Sequence, residues 1–353
     1  MTDRRYLPFL DVTRIFAVLG VVAIHVVGES VEDGTAPLAQ DVLRAALMAA
    51  VPVFVMMSGA LNLAPNALRD GSTEFLRRRA RRVLPALAIW SVFYMVVIRG
   101  MVLNEDISTD MSLELIVMGK PYVHLYFLIA IAGLYIMTPV LQAFLERDEG
   151  RRAWIVGGVA SAWMVLAMAP GQLVKAGILV TSPVQESAMT WPLLLTGYYV
   201  LGRAMIVRPV PRPVAWAGLA LAPFFVLLMA WVFPRSTMEQ TGGAPSAWAL
   251  VLAPDYPSLP VLLYSVLLMA GLSSLLRDWQ VGDRARRWLR PLGEATFGIF
   301  LVHYAVLVLL RRLLPALDGP STHSALAAWT LTVVISTLIA TIGRKVPGVR
   351  LVL

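Results

Sequence analysis

The chain has 353 residues, 58% of them hydrophobic and only 15% charged, with a formal net charge of +8. A soluble chain of this size carries about 25% charged residues, and here the apolar residues come in long blocks instead of short alternating runs. That pattern excludes an ordinary soluble enzyme, a disordered scaffold and a β-barrel, and predicts an all-α, polytopic membrane protein. The basic excess fits Arg and Lys held on the cytoplasmic side of a membrane, with no nucleic acid as partner. Cysteine is absent, so disulfides, Cys-ligated metal sites and a thiol nucleophile are excluded.

Apolar blocks near the 20 residues needed to cross a bilayer lie at 8–28, 41–63, 84–103, 122–144, 153–170, 191–207, 214–233, 257–276, 293–313 and 324–342. The fifth and sixth are the weakest, because 171–190 is mildly apolar as well. With the N-terminus inside, 22 of the 30 Lys and Arg residues fall in the inside segments or at the span ends that border them, while Arg14 lies within the first span. Dropping or adding one helix scrambles this asymmetry. The expectation is therefore about ten transmembrane helices with both termini cytoplasmic, forming a single domain over 1–353 with no internal repeat and no appended soluble domain. Asp11 and Arg14 interrupt what would be the apolar core of a signal peptide, so the first span is expected to stay in the mature protein.

A charged side chain inside a span costs about 2.5–3.5 kcal/mol on insertion scales and needs a reason. The first span carries Asp11, Arg14 and His25. At about 100° per residue, Arg14 and His25 are three turns plus about 20° apart, with Asp11 within about 60° of their line and His25 roughly 16 Å further along. Two readings stand: an i,i+3 Asp11–Arg14 pair at the interface, or a hydrated, protein-lined path ending at His25. In the second span, Ser58-Gly59 follows Val51-Pro-Val-Phe and suits a close helix approach. Before the third, Arg77, Arg78, Arg79, Arg81 and Arg82 place five arginines in six positions. Such a cluster contacts anionic headgroups of membrane lipids; it also suits a phosphate clamp, because guanidinium forks bind phosphate bidentately. Pro85 is expected in the first turn of that helix.

Of the four histidines, His124 opens the fourth span, close to Tyr126, and His303 lies midway along the ninth. The topology puts His25 and His124 at similar depth in the outer half. No His-x-x-x-His pair or neighbouring carboxylate supports a metal site, so none is assigned. A neutral imidazole near its unperturbed pKa of about 6.5 suits proton transfer. Neither a Gly-x-Ser-x-Gly elbow nor a Walker pattern occurs.

These features in order resemble the integral-membrane acyltransferase-3 family, bacterial O-acyltransferases that modify cell-envelope polysaccharides and related acceptors. The matching blocks are Leu10-Asp11-x-x-Arg14 with His25; Val51-Pro-Val-Phe with Ser58-Gly59; Phe75 leading into Arg79-x-x-Arg82 and Pro85; His124-Leu-Tyr-Phe-Leu with Tyr135 and Pro139; and Leu292-Gly with Phe297-x-Ile-Phe-Leu-x-His303. Tyr126 departs from the family's frequent Trp. The resemblance implies an enzyme of the bacterial inner membrane that moves an acyl group, most often acetyl, from cytoplasmic acyl-CoA to a hydroxyl of an envelope glycan or lipid-linked sugar. It implies His25 as catalytic base assisted by Asp11 and Arg14. Arg14, Arg78, Arg79 and Arg82 would hold the phosphates of acyl-CoA (acetyl-CoA), and His124, Tyr126, Ser58 and His303 would face substrate, with no metal. A covalent acyl-histidine is the mechanistic variant. The alternatives are a secondary transporter or flippase of envelope precursors, against which no inverted repeat is found, and a membrane acyltransferase of another architecture centred on His303.

Overall fold

The computed structural model describes residues 8–32, 38–105, 114–115, 118, 122–146, 148–236, 245–319 and 321–353. Arg4, Arg5, Lys120, Arg147 and much of the loops expected around 29–40, 104–121 and 234–256 lie outside the described residues. Every regular element among the described residues is helical. They are α1 (Pro8–Glu32), α2 (Leu38–Leu47), α3 (Ala50–Asn62), α4 (Ser72–Val92, running on as a π-helix through Phe93–Val102), α5 (Tyr126–Leu145), α6 (Arg151–Lys175), α7 (Thr190–Val207), α8 (Arg212–Ser236), the short α9 (Ala247–Leu252), α10 (Leu259–Leu275), α11 (Asp283–Leu313) and α12 (Thr322–Gly343).

Among the described residues eight rods are long and apolar enough to cross a membrane, α2 and α3 together making one of them. The chain is a multi-pass membrane protein. The remaining two expected spans, 191–207 and 257–276, correspond to α7 and α10, which are shorter at 18 and 17 residues. α7 is weakly legible because it runs through the interior: Tyr198, Tyr199, Thr196, Gly197 and Gly202 are buried against other helices rather than facing lipid. The opposite surface is apolar by design of its solvent, with Leu166, Trp216, Leu227 and Leu338 exposed. In a bilayer such side chains have the environment they would otherwise lack.

Two helices start ten or more residues ahead of expectation. α4 begins at Ser72 rather than 84, so Arg77–Arg82 are helical and Pro85 sits well inside the helix instead of in its first turn. Ion pairs explain the extension: Glu74 bonds Arg77 at 2.6 Å and Asp70 bonds Arg78 at 2.6 Å, neutralising a basic helix end that would otherwise repel itself. α11 starts at Asp283 rather than 293, carrying Arg286 and Arg290 on its first three turns.

The break between α2 and α3 has a definite cause. Pro52 lacks the N–H that would bond Met48, and its ring clashes with that carbonyl, so the chain turns at 48–49. The Tyr264 hydroxyl of α10 donates to the Ala46 carbonyl at 2.9 Å, satisfying one acceptor near the break. The turn delivers Val51, Phe54, Met57 and Ser58 to the interior of the bundle.

α3 and α7 cross at backbone contact. A Cβ added at Gly59 would fall on the Tyr199 carbonyl, and one at Gly202 on that of Met56, so both glycines are required by proximity. α11 lies between α1 and α12, and three bonds fix it and its neighbour on α1. Arg14 donates to the Gly293 carbonyl at 3.5 Å, Arg311 to Val26 at 2.7 Å, and Trp329 of α12 to Leu19 at 3.1 Å. Gly202→Ala is expected to destabilise by about 1–3 kcal/mol through overpacking, read as a lowered thermal midpoint in detergent. Gly158→Ala, where nothing lies within 4 Å of the added carbon, leaves the midpoint unchanged or slightly raised.

Candidate active site

At one end of the bundle the charged residues converge on a cavity of about 990 Å³. α1 supplies Asp11 and Arg14, the turn after α3 supplies Arg69 and Asp70, and α4 supplies Arg78 and Arg79. Arg203 comes from α7, and Arg286, Arg290 and Glu294 from α11. Arg203, Arg286 and Arg290 are distant in sequence from the arginine cluster, and the sequence accounts for them only as charges on one side of the membrane. Their placement on the same side was the signal available for finding them.

The arginines are not equivalent. Arg78 is bonded to Asp70, and that hydrogen bond, ahead of the other charges nearby, holds the Asp70 carboxyl below its ordinary range. Arg290 and Arg344 share Glu294 at 3.3 and 2.8 Å, and Arg14 pairs with Asp11 at 3.4 Å. Arg79 instead lies 5.3 Å over both the Phe75 and Tyr135 rings, and Arg82 5.1 Å over Phe297. Neither has a carboxylate partner among the described residues. Aromatic faces hold a guanidinium plane by its π-surface and leave its N–H edge for an anion.

A second cavity of about 400 Å³ continues inward and shares Arg14, Leu61, Arg79 and Glu294 with the first. Arg82, Ser58, Asn62, Tyr135 and Phe297 line it, and its far end is Phe54 and Phe127. Asn62 donates to the Ser58 hydroxyl at 3.1 Å and to its carbonyl at 2.8 Å, fixing both polar groups on the wall. A third cavity of about 150 Å³ lies beyond Phe127, lined by His25, His124, Tyr126, Tyr256 and Phe300. Phe54 meets Phe127 edge-on at 5.8 Å and Phe127 meets Phe300 at 5.3 Å, so an aromatic collar separates the slot from the histidine chamber.

Three histidines from three parts of the chain meet there. The ring centroids are 5.3 Å apart for His25–His303, 6.2 Å for His25–His124 and 4.9 Å for His124–His303. His124 sits in the turn ahead of α5 rather than within the span, and both its ring nitrogens are buried. His303 Nδ1 lies 2.6 Å from the Phe300 carbonyl. A carbonyl only accepts, so Nδ1 carries the proton, and the unpartnered Nε2 keeps its lone pair. His303 is fully buried whereas His25 is partly accessible and faces the chamber. Among the described residues no group of three His, Asp or Glu is arranged to hold a metal ion. His323, the fourth histidine, is exposed at the head of α12.

Thus Asp11, Arg14, Arg78, Arg79, Arg82 and Ser58 line the two basic cavities, and His25, His124 and Tyr126 the third, with His303 behind His25. The expected group divides into two sites, since α1 carries Arg14 about three turns and Asp11 about four turns from His25. Tyr94, Tyr122, Tyr256 and Tyr304 complete the histidine end and lack any sequence signature. Tyr304 lies 5.0 Å from His25 and 5.8 Å from His124.

With inorganic pyrophosphate as probe, calorimetry is expected to give Arg79→Ala and Arg82→Ala a weakening of about 10-fold or more each. Arg78→Ala, already neutralised by Asp70, changes affinity by less than about 3-fold. Equal effects for all three contradict the distinction.

The model of the acyltransferase-3 family, described as an acyltransferase domain, matches residues 7–343. No curated protein matches the chain significantly. No solved structure does so either.

Proposed function

Starting from the fact that this chain belongs to the acyltransferase-3 family and is an acyltransferase of the membrane, we propose that it transfers an acyl group from acyl-CoA to a hydroxyl of an envelope glycan or lipid-linked sugar. The observation that carries this reading is the run of three cavities from a seven-arginine mouth to a partly accessible histidine. In this reading the mouth faces the cytoplasm of a bacterial inner membrane and acetyl is the group moved.

The CoA phosphates occupy the junction of the mouth and the slot, where Arg14 and Arg79, shared by both cavities, and Arg82 of the slot wall offer guanidinium edges, while Arg78 is already paired with Asp70. The pantetheine arm enters the slot beside the Ser58 hydroxyl and the Asn62 amide, polar groups able to hydrogen-bond its own amides. Arg14 and His25 are about 16 Å apart along α1, a length that an extended arm covers. The thioester passes the Phe54–Phe127–Phe300 collar, and the acceptor approaches from the opposite side, against Tyr126 and Tyr256.

His25 takes the proton of the acceptor hydroxyl as its oxygen attacks the thioester carbon. The tetrahedral intermediate collapses, the C–S bond breaks, and the proton passes from His25 to the departing thiolate, giving an ester and free CoA. General-base catalysis of this kind contributes about 10²–10⁴ in rate. His303, with its lone pair directed out of a fixed ring, is a hydrogen-bond acceptor for an N–H of His25 after a small side-chain movement. It would orient His25 as the third member of a catalytic set orients the base. His124 and Tyr126 sit where they can direct the acceptor hydroxyl or the developing oxyanion. Asp11 belongs to the donor end, where it steers Arg14.

Purified protein in nanodiscs is incubated with acetyl-CoA, and free CoA is measured. His25→Ala is expected to reduce release by at least about 10²-fold with folding and CoA binding retained. Full release by His25→Ala contradicts the assignment, and absence of CoA binding by the wild type supports the transport alternative.

A further inference from the structure

We propose that Tyr94 is a positioning residue for the histidine centre, acting as a hydroxyl wedge inside the backbone of α11. The inference rests on the acyltransfer reading for its kinetic consequence, and on geometry alone for its structural one.

Tyr94 is fully buried at the second residue of the π-helical stretch that ends α4. Its hydroxyl donates to the Leu301 carbonyl at 2.8 Å and accepts from the Ala305 N–H at 3.1 Å. Residues 301 and 305 stand four apart, and in an uninterrupted α-helix this N–H and this carbonyl bond each other. The hydroxyl therefore sits between the two groups of one helical turn, satisfying both.

The turn bridged in this way, helical throughout, is the one that carries His303 and Tyr304. One turn earlier, Phe300 supplies the carbonyl bonded by His303 Nδ1, so the direction of the His303 ring depends on the path of the same segment. The wedge is itself braced. The Tyr94 ring stacks on Tyr122 at 4.5 Å and meets His124 edge-on at 4.9 Å, so one side chain touches the backbone of the His303 turn and the ring of His124. π-helical insertions occur often at functional sites, and here the stretch begins at Phe93, immediately before the wedge. Two of the three histidines thus take their position from one phenol that lines none of the three cavities described above.

The test is Tyr94→Phe, which removes one oxygen and keeps the ring, in the full chain in nanodiscs. Histidine-selective ¹⁵N spectra are recorded beside kinetics with acetyl-CoA. With Nδ1 protonated and Nε2 not, wild-type His303 shows one pyrrole-type and one pyridine-type resonance. The proposal predicts that Tyr94→Phe shifts the His303 and His124 resonances. It also predicts that kcat falls roughly 10- to 100-fold while KM for acetyl-CoA and CoA affinity stay unchanged, because the donor cavities are untouched. Wild-type resonances and kcat in a folded Tyr94→Phe overturn it, and so does a loss confined to KM. Should Tyr94→Phe fail to fold, 3,5-difluorotyrosine at position 94 keeps the hydroxyl and changes its hydrogen-bond strength. Shifted His303 resonances then support the wedge, and unshifted ones overturn it. Failure of the acyltransfer reading looks different: no turnover by the wild type, or full turnover by His25→Ala, with the ¹⁵N comparison still deciding the role of Tyr94.

Discussion

Along the seam between α1 and α11, Arg14 meets the Gly293 carbonyl at one end, and His25 meets His303 and Tyr304 at the other. Everything described above depends on how closely these two helices run. Gly293 sets the approach at the arginine end, since a Cβ there would lie 2.7 Å from an Asp11 carboxylate oxygen. Arg311, bonded to the carbonyl next to His25 and paired with Asp318 at 3.2 Å, sets it at the other. A polar stripe on α1 alone would be an expense in a bilayer. Faced by α11 it becomes the wall of a path.

The two ends solve the problem of interior charge differently. At the basic end, carboxylates and aromatic faces divide the arginines of the two cavities: some are neutralised by Asp11, Asp70 and Glu294, whereas Arg79 and Arg82 are held on rings with their N–H edges available. At the histidine end the cavity wall holds no carboxylate among the described residues, and its polar groups are imidazoles and phenols. A pyrophosphate-bearing donor suits the first environment, and proton transfer between neutral groups suits the second. The aromatic collar of Phe54, Phe127 and Phe300 separates them.

The sequence made much of this legible, for identifiable reasons. Long apolar blocks are the direct consequence of lipid as solvent, and charge inside them is rare enough that Asp11, Arg14 and His25 stand out. α7 was harder because a rod surrounded by protein is free to carry Tyr198, Tyr199 and Thr196, and the start of α4 was harder because ion pairs rather than apolarity extend it. The division of the site was also hidden: helical periodicity puts Asp11, Arg14 and His25 on one face but does not say that a collar contributed by α3, α5 and α11 lies between them. Tyr94 had no signature at all, since a phenol in an apolar segment reads as packing until the backbone it enters is seen.

The central claim is that one donor molecule bridges both ends. The most direct measurement is a cryo-electron microscopy structure with a thioether analogue of acetyl-CoA in place of the thioester. The account predicts phosphates among Arg14, Arg79 and Arg82, the arm in the slot past Ser58, and the sulfur-linked group beyond Phe127 within about 4 Å of His25, the near-attack range. An analogue held at the mouth with its arm outside the slot, or bound at another surface, contradicts it.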